Sequence, residues 1–198
     1  LGYGMTEHAL ARRLNCSPER ARELLAMYMG IVEKLDDYFE RQRRAVKYHG
    51  VVYNIFDRRR QFYGVQTMKH FGGYKKQMGH IYRTSYNFPV QSSASDIHSR
   101  ATIRIDRDEW LRDNEAWLVA SIHDSVMIEV AAEKAAEVAA YVQKLMQDSA
   151  YEVTAIAAER TGVGRPWIVP VDVEWGPAWE TVTHHLTQRT EIHTGTKD

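Results

Sequence analysis

Residues 116–130, AWLVASIHDSVMIEV, decide the fold. Two apolar, β-branched runs, AWLVASI and SVMIEV, flank His123 and Asp124, which predicts a tight hairpin with those two residues at its tip. A Ser, His, Asp hydrolase triad does not fit there. Consecutive residues near a strand end point in different directions, whereas a triad draws convergent side chains from separated parts of a chain. An exposed carboxylate on a rigid hairpin suits a hard cation such as Mg²⁺, which takes oxygen ligands and keeps several waters. An Asp in a turn is by itself only a turn former, so the neighbouring segments have to decide.

Upstream lies YRTSYNFPVQSSASDI, residues 82–97. Arg83, Asn87 and Gln91 are spaced by four and share a helix face if helical geometry extends back to Arg83, although Pro89 predicts a break. From Pro89 to about Arg112, Ala94, Ile97, Ala101 and Ile105 recur at helical spacing and predict one buried stripe. Long donors in a row can reach the minor groove, where every base pair offers an acceptor at nearly the same place. On spacing alone an ordinary polar helix face is the better explanation of them.

Further out, Thr6 caps a short helix to about Asn15, and Ser17–Pro18 starts a second. Gly30 should kink the long run or split it into two helices, at about 18–29 and 31–48, with Gly50 ending the latter. VVYNIF, a turn at 57–59 and QFYGV read as a hairpin, and 66–80, with three glycines, as a loop. Residues 131–149 form an alanine-rich helix with Val138, Val142 and Leu145 inward. WIVPVDVEW reads as a closing edge strand.

The 198 residues have no net charge, but the charge is segregated. Residues 41–83 hold eleven Lys or Arg against one acid, Asp57, between two acidic flanks. That pattern suits a phosphate-facing surface beside a cation site, and equally a solvated face. A lone cysteine, Cys16, excludes an internal disulfide and suits the cytoplasm. No segment reads as a membrane span or signal peptide. The sequence opens at Leu1 directly on GYGMT, so further polypeptide is expected upstream.

The order of segments resembles family A DNA polymerases, the group of bacterial DNA polymerase I and related phage enzymes. GYGMT is similar to the end of the family's nucleotide-binding fingers helix, with Tyr3 as its final tyrosine, and ARRLNCSPERARELLAMYMGIVEKL to the helices that follow. DRRRQFYG resembles its arginine hairpin, NFPVQSSASDI its Asn, Pro, Gln and Asp helix, IHDSVMIEV its motif C, and VPVDVEWGPAW its closing strand. The resemblance runs to about Trp179 and implies an α+β fold, part of a right-hand polymerase. Residues 1–80 would be the remainder of the fingers, 81–185 a palm portion with the motif C hairpin and flanking helices, and 186–198 a tail.

The resemblance also implies roles. Asp124 would be the motif C ligand to two Mg²⁺ ions, with His123 near the primer terminus. Arg83 and Gln91 would be minor-groove donors, and Asn87 and Tyr3 would line the template side of the pocket. Arg58, Arg59 and Arg60 would hold phosphate or brace the palm. Primer-template DNA and a deoxynucleoside triphosphate are the expected ligands. The motif A aspartate and the triphosphate-binding fingers helix are expected on a separate amino-terminal polypeptide, in a bacterial or phage-infected cell.

Three departures stand out. Ser125 replaces motif C's usual second acid, which should reduce rather than abolish function. Asp57 replaces a glycine before the arginine run. Thr183 holds the place of a terminal histidine, with His184 one further on. A single-subunit RNA polymerase fragment, whose motif C can also read His, Asp, Ser, and a catalytically silent nucleic-acid-binding scaffold are the alternatives.

Overall fold

Serine, threonine and proline punctuate the first helices as their chemistry requires. In the computed structural model, which describes residues 6–31, 34–70, 72–162, 166–167, 169–178, 181–182 and 184–186, the Thr6 hydroxyl accepts from the Ala9 N–H at 3.4 Å and starts α1, Glu7–Leu14. Ser17 accepts from the Arg20 N–H at 3.2 Å, and Pro18 opens α2, Pro18–Ile31. Gly30 does not interrupt this helix, which runs one residue past it. A single glycine costs only about 1 kcal/mol relative to alanine, too little to end a helix by itself. Helix α3, Leu35–His49, carries Asp36 and Asp37 in its first turn and Lys47 and His49 in its last, matching the helix dipole. Gly50 ends it at φ 66°, where an added Cβ would also sit 3.2 Å from the Phe62 carbonyl.

The next hairpin is shorter than its sequence suggests. Strand β1, Val51–Tyr53, pairs with β2, Arg59–Gln61, and the connection runs from Asn54 to Arg58 rather than over 57–59. Asn54 makes the difference. Its Oδ1 accepts from the Phe56 and Arg58 N–H groups, both at 2.9 Å, in an Asx turn that strand propensity does not reveal. The loop expected at 66–80 is instead a 3₁₀ turn, Met68–His70, followed by the first turns of α4, Tyr74–Arg107.

Helix α4 runs through Pro89 without ending, which corrects the expected break. Proline removes the N–H that would meet the Ser85 carbonyl, but the turn after it is held from outside. Asn54 Nδ2 donates to Ser92 Oγ at 2.9 Å, the Ile55 N–H donates to Ser93 Oγ at 3.3 Å, and Ser93 Oγ donates to the Pro89 carbonyl at 2.5 Å.

The chain divides into two units, residues 1–93 and 94–198. In the first, Leu10, Ala11 and Ala21 form one small core, and Val46, Val52, Val65 and Met78 another. The second unit has α5, Glu109–Asp113, then β3, Trp117–Ile122, paired antiparallel with β4, Ser125–Glu129, with a register shift between Leu118 and Ala120. Helix α6, Ala135–Thr161, runs well beyond the expected residue 149 to Gly162, since its alanine-rich pattern continues that far. Val138 and Val142 on its inner face join Ile105, Leu111 and Ala116 in this unit's core, with Leu145 packed against them. The closing strand is only β5, Val173–Trp175, paired with β6, His184–Leu186, a partner the sequence pattern did not suggest. Helices with small antiparallel hairpins make this an α+β fold, as expected.

Leu111 is 1% exposed at the centre of the second unit's core, whereas Tyr63 is 83% exposed. Leu111→Ala is therefore expected to lower unfolding free energy by about 2–5 kcal/mol in urea titrations, and Tyr63→Ala to change it by no more than about 0.5 kcal/mol.

Candidate active site

His123 and Asp124 form the two-residue connection of the β3–β4 hairpin, with Ile122 paired to Ser125 across its mouth. His123 sits at φ 56°, so the first central residue alone takes a positive φ, a place that suits glycine and that histidine occupies at a conformational cost. The Ser125 hydroxyl donates to the Ile122 carbonyl at 2.9 Å and closes the turn. Asp124 is exposed, and its carboxylate has no hydrogen bond or ion pair among the described residues. Its oxygens are free to meet a hard cation, which fits one ligand of a site that keeps waters. A complete cage is not formed here: no group of three or more His, Cys, Asp or Glu among the described residues could hold a metal ion.

The second set of residues lies along α4. Because the helix is continuous through Pro89, Arg83, Asn87 and Gln91 form a true i, i+4, i+8 stripe. The Arg83 and Gln91 side chains are exposed and make no hydrogen bond among the described residues, so their donors are available. Asn87 Oδ1 is buried without a hydrogen-bond partner, an acceptor whose desolvation is uncompensated.

Two contacts hold this stripe from α3. The Tyr38 hydroxyl donates to the Tyr86 carbonyl at 2.7 Å, and Arg43 Nε donates to the Tyr86 hydroxyl at 2.6 Å with its guanidinium 5.7 Å from the ring centroid. No sequence periodicity marks this clasp, because its partners lie more than forty residues apart. The arginine run divides in role. Arg60 stacks over Phe62 and Phe88 at 5.8 Å each, bracing the hairpin against α4. The Arg59 side chain is exposed and without a hydrogen bond or ion pair among the described residues, whereas Arg58 lies in the Asn54 turn. Tyr3, Trp179 and Thr183 lie outside the described residues.

The profile of DNA polymerase family A matches residues 1–180. The chain belongs to that family. Among its relatives are DNA polymerase I B, mitochondrial, of Oryza sativa, 26% identical over 90% of this chain and 16% of its own length, and the DNA polymerase I of Deinococcus radiodurans, 27% identical over 83% and 16%. That of Pseudomonas aeruginosa is 28% identical over 83% of this chain and 17% of its own length. The chain thus spans about a sixth of these family members. The POL domain of Pol1 from M. smegmatis, in a complex with DNA primer-template and dNTP, aligns at a TM-score of 0.63 and 23% identity over 75% of this chain and 25% of that one, a likeness of fold. No described helix is long and apolar enough to cross a membrane.

Burial pushes the Tyr38 phenol up to about 12, against an opposing pull from Arg41. The folded state therefore favours the neutral phenol, and the stability Tyr38 contributes is intact below its ordinary value near 10 and lost as pH rises through about 12. Urea midpoints are expected to fall across that window, and Tyr38→Phe to flatten the fall.

Proposed function

We propose that this chain is the carboxy-terminal part of a template-directed DNA polymerase that performs nucleotidyl transfer by a two-metal mechanism. The observation that carries the reading is the exposed, unpaired Asp124 carboxylate at the tip of the β3–β4 hairpin, within a chain whose residues 1–180 match family A. On this reading residues 1–80 are the remainder of the fingers, 81–185 a palm portion and 186–198 a tail. Primer-template DNA and a deoxynucleoside triphosphate, the ligands of the M. smegmatis domain, are the substrates.

Two Mg²⁺ ions, when bound, supply Lewis-acid stabilisation of the charge that develops on the transferred phosphoryl group. Asp124 would supply one carboxylate to hold them, from the two-residue turn of the β3–β4 hairpin. His123, beside it, lies against the primer terminus. Arg83 and Gln91 donate to the minor-groove acceptors shared by all four base pairs, so they sense pair geometry rather than identity. Asn87 takes the template side of the incoming pair, where its uncompensated Oδ1 gains a donor, and Tyr3, outside the described residues, is assigned the same role. Arg59 meets phosphate as an exposed cation, and Arg60 braces the hairpin that presents it. Ser125 adds no charge at motif C but holds the turn closed, so the metal site relies on Asp124 and on a motif A carboxylate from an amino-terminal polypeptide outside these residues.

In the polymerase that contains this chain, Asp124→Asn should reduce nucleotide incorporation by about a thousandfold or more while leaving the Kd for primed DNA unchanged. Weaker DNA binding with normal turnover, or a clear preference for ribonucleotides, would overturn the reading. The 198 residues alone should bind primed DNA with a steep loss of affinity as salt rises and extend no primer; templated synthesis by the chain alone would show that the second carboxylate is not needed.

A further inference from the structure

On the reading that Asp124 is a metal ligand, we propose that His98 is the positioning residue that fixes the hairpin tip carrying it. The base of the hairpin is held by apolar packing, since Leu118, Val126 and Ile128 pack against the second unit's core. That packing stops short of the chemistry, because residues 121–125 are all exposed. One polar contact reaches past it. The hydroxyl of Ser121, two residues before His123, lies 2.9 Å from His98 Nε2 on α4.

Thr102, one helical turn beyond His98, sets the ring. Its hydroxyl donates to the His98 carbonyl at 2.9 Å and lies 3.5 Å from the same Nε2. With that proton committed, Thr102 Oγ1 can only accept from the ring. In either tautomer Nε2 faces the Ser121 hydroxyl, which can accept from it or donate to it, with Thr102 alongside, and the imidazole is oriented towards β3. The Ser125 to Ile122 bond closes the turn on itself but fixes nothing relative to α4. His98 supplies that restraint. Ligand geometry must hold to within about 0.5 Å for efficient chemistry, and a tip restrained only at its base can swing by more.

The test uses the polymerase that contains this chain. His98→Leu removes the bond while keeping side-chain bulk and helix propensity. It should lower kcat about tenfold, leave the Kd for primed DNA and the KM for nucleotide unchanged, and raise the Mg²⁺ concentration needed for half-maximal rate. His98→Gln, whose amide reaches the same place, should restore most of the rate. Ser121→Ala should reproduce the loss, and the double variant should lose no more than either single one. Wild-type turnover in His98→Leu overturns the proposal, as does a loss that glutamine fails to restore or that appears equally in DNA binding.

Hydrogen exchange on the 198-residue chain reads the anchoring without catalysis. Amides of residues 121–126 should exchange about tenfold faster in His98→Leu and recover in His98→Gln; unchanged exchange overturns the anchoring. Asp124→Asn measured in parallel separates the two ideas. If it polymerises like wild type, the metal-ligand reading fails, and the exchange rates still decide whether His98 holds the tip.

Discussion

A proline in the middle of a 34-residue helix is tolerated here because the turn after it is bonded from outside. Asn54 and Ile55, in the connection just after β1, reach Ser92 and Ser93, and Ser93 returns a bond to the Pro89 carbonyl. Without that set of bonds, Pro89 would be the natural end of a helix, and Arg83 and Asn87 would fall on a different element from Gln91. With it, the three donors share one stripe. Asn54 is thus both the turn former of the arginine hairpin and a support of α4. It is 5% exposed and its side chain has donors and acceptors matched on both sides.

The β3–β4 hairpin solves a different problem. Its base is apolar and packed, and its tip is polar and exposed, so an uncompensated carboxylate can stand in solvent without the desolvation cost that burial would impose. Ser125 fits this economy. A second acid at that position would lie beside Asp124 and repel it in the absence of cations, whereas the hydroxyl stabilises the turn directly through the Ile122 carbonyl.

Much of this was legible in the sequence where the signal is local. The Thr6 and Ser17 caps, the Gly50 stop and the β3–β4 tip each follow from a few adjacent residues whose backbone preferences agree. The spacing of Arg83, Asn87 and Gln91 was equally plain, but its meaning depended on whether Pro89 ended the helix, and that is settled by residues 54 and 55. The same reason hides the Tyr38 to Tyr86 contact and the His98 to Ser121 contact: both join residues far apart in sequence, and neither residue type announces its partner. The β1–β2 turn was misplaced by several residues because an Asx turn competes with the strand pattern that flanks it. Strand β6 escaped because a three-residue strand of two histidines and a leucine carries no alternation to read.

The left-handed backbone of His123 has an evolutionary consequence. At φ 56° a glycine would sit without penalty, so drift toward stability alone would favour losing the imidazole. If His123 acts as proposed, a histidine there is a compromise in which side-chain chemistry outweighs backbone comfort. On the proposed function, variants of this hairpin selected only for robustness should therefore converge on a sturdier loop and a poorer catalyst.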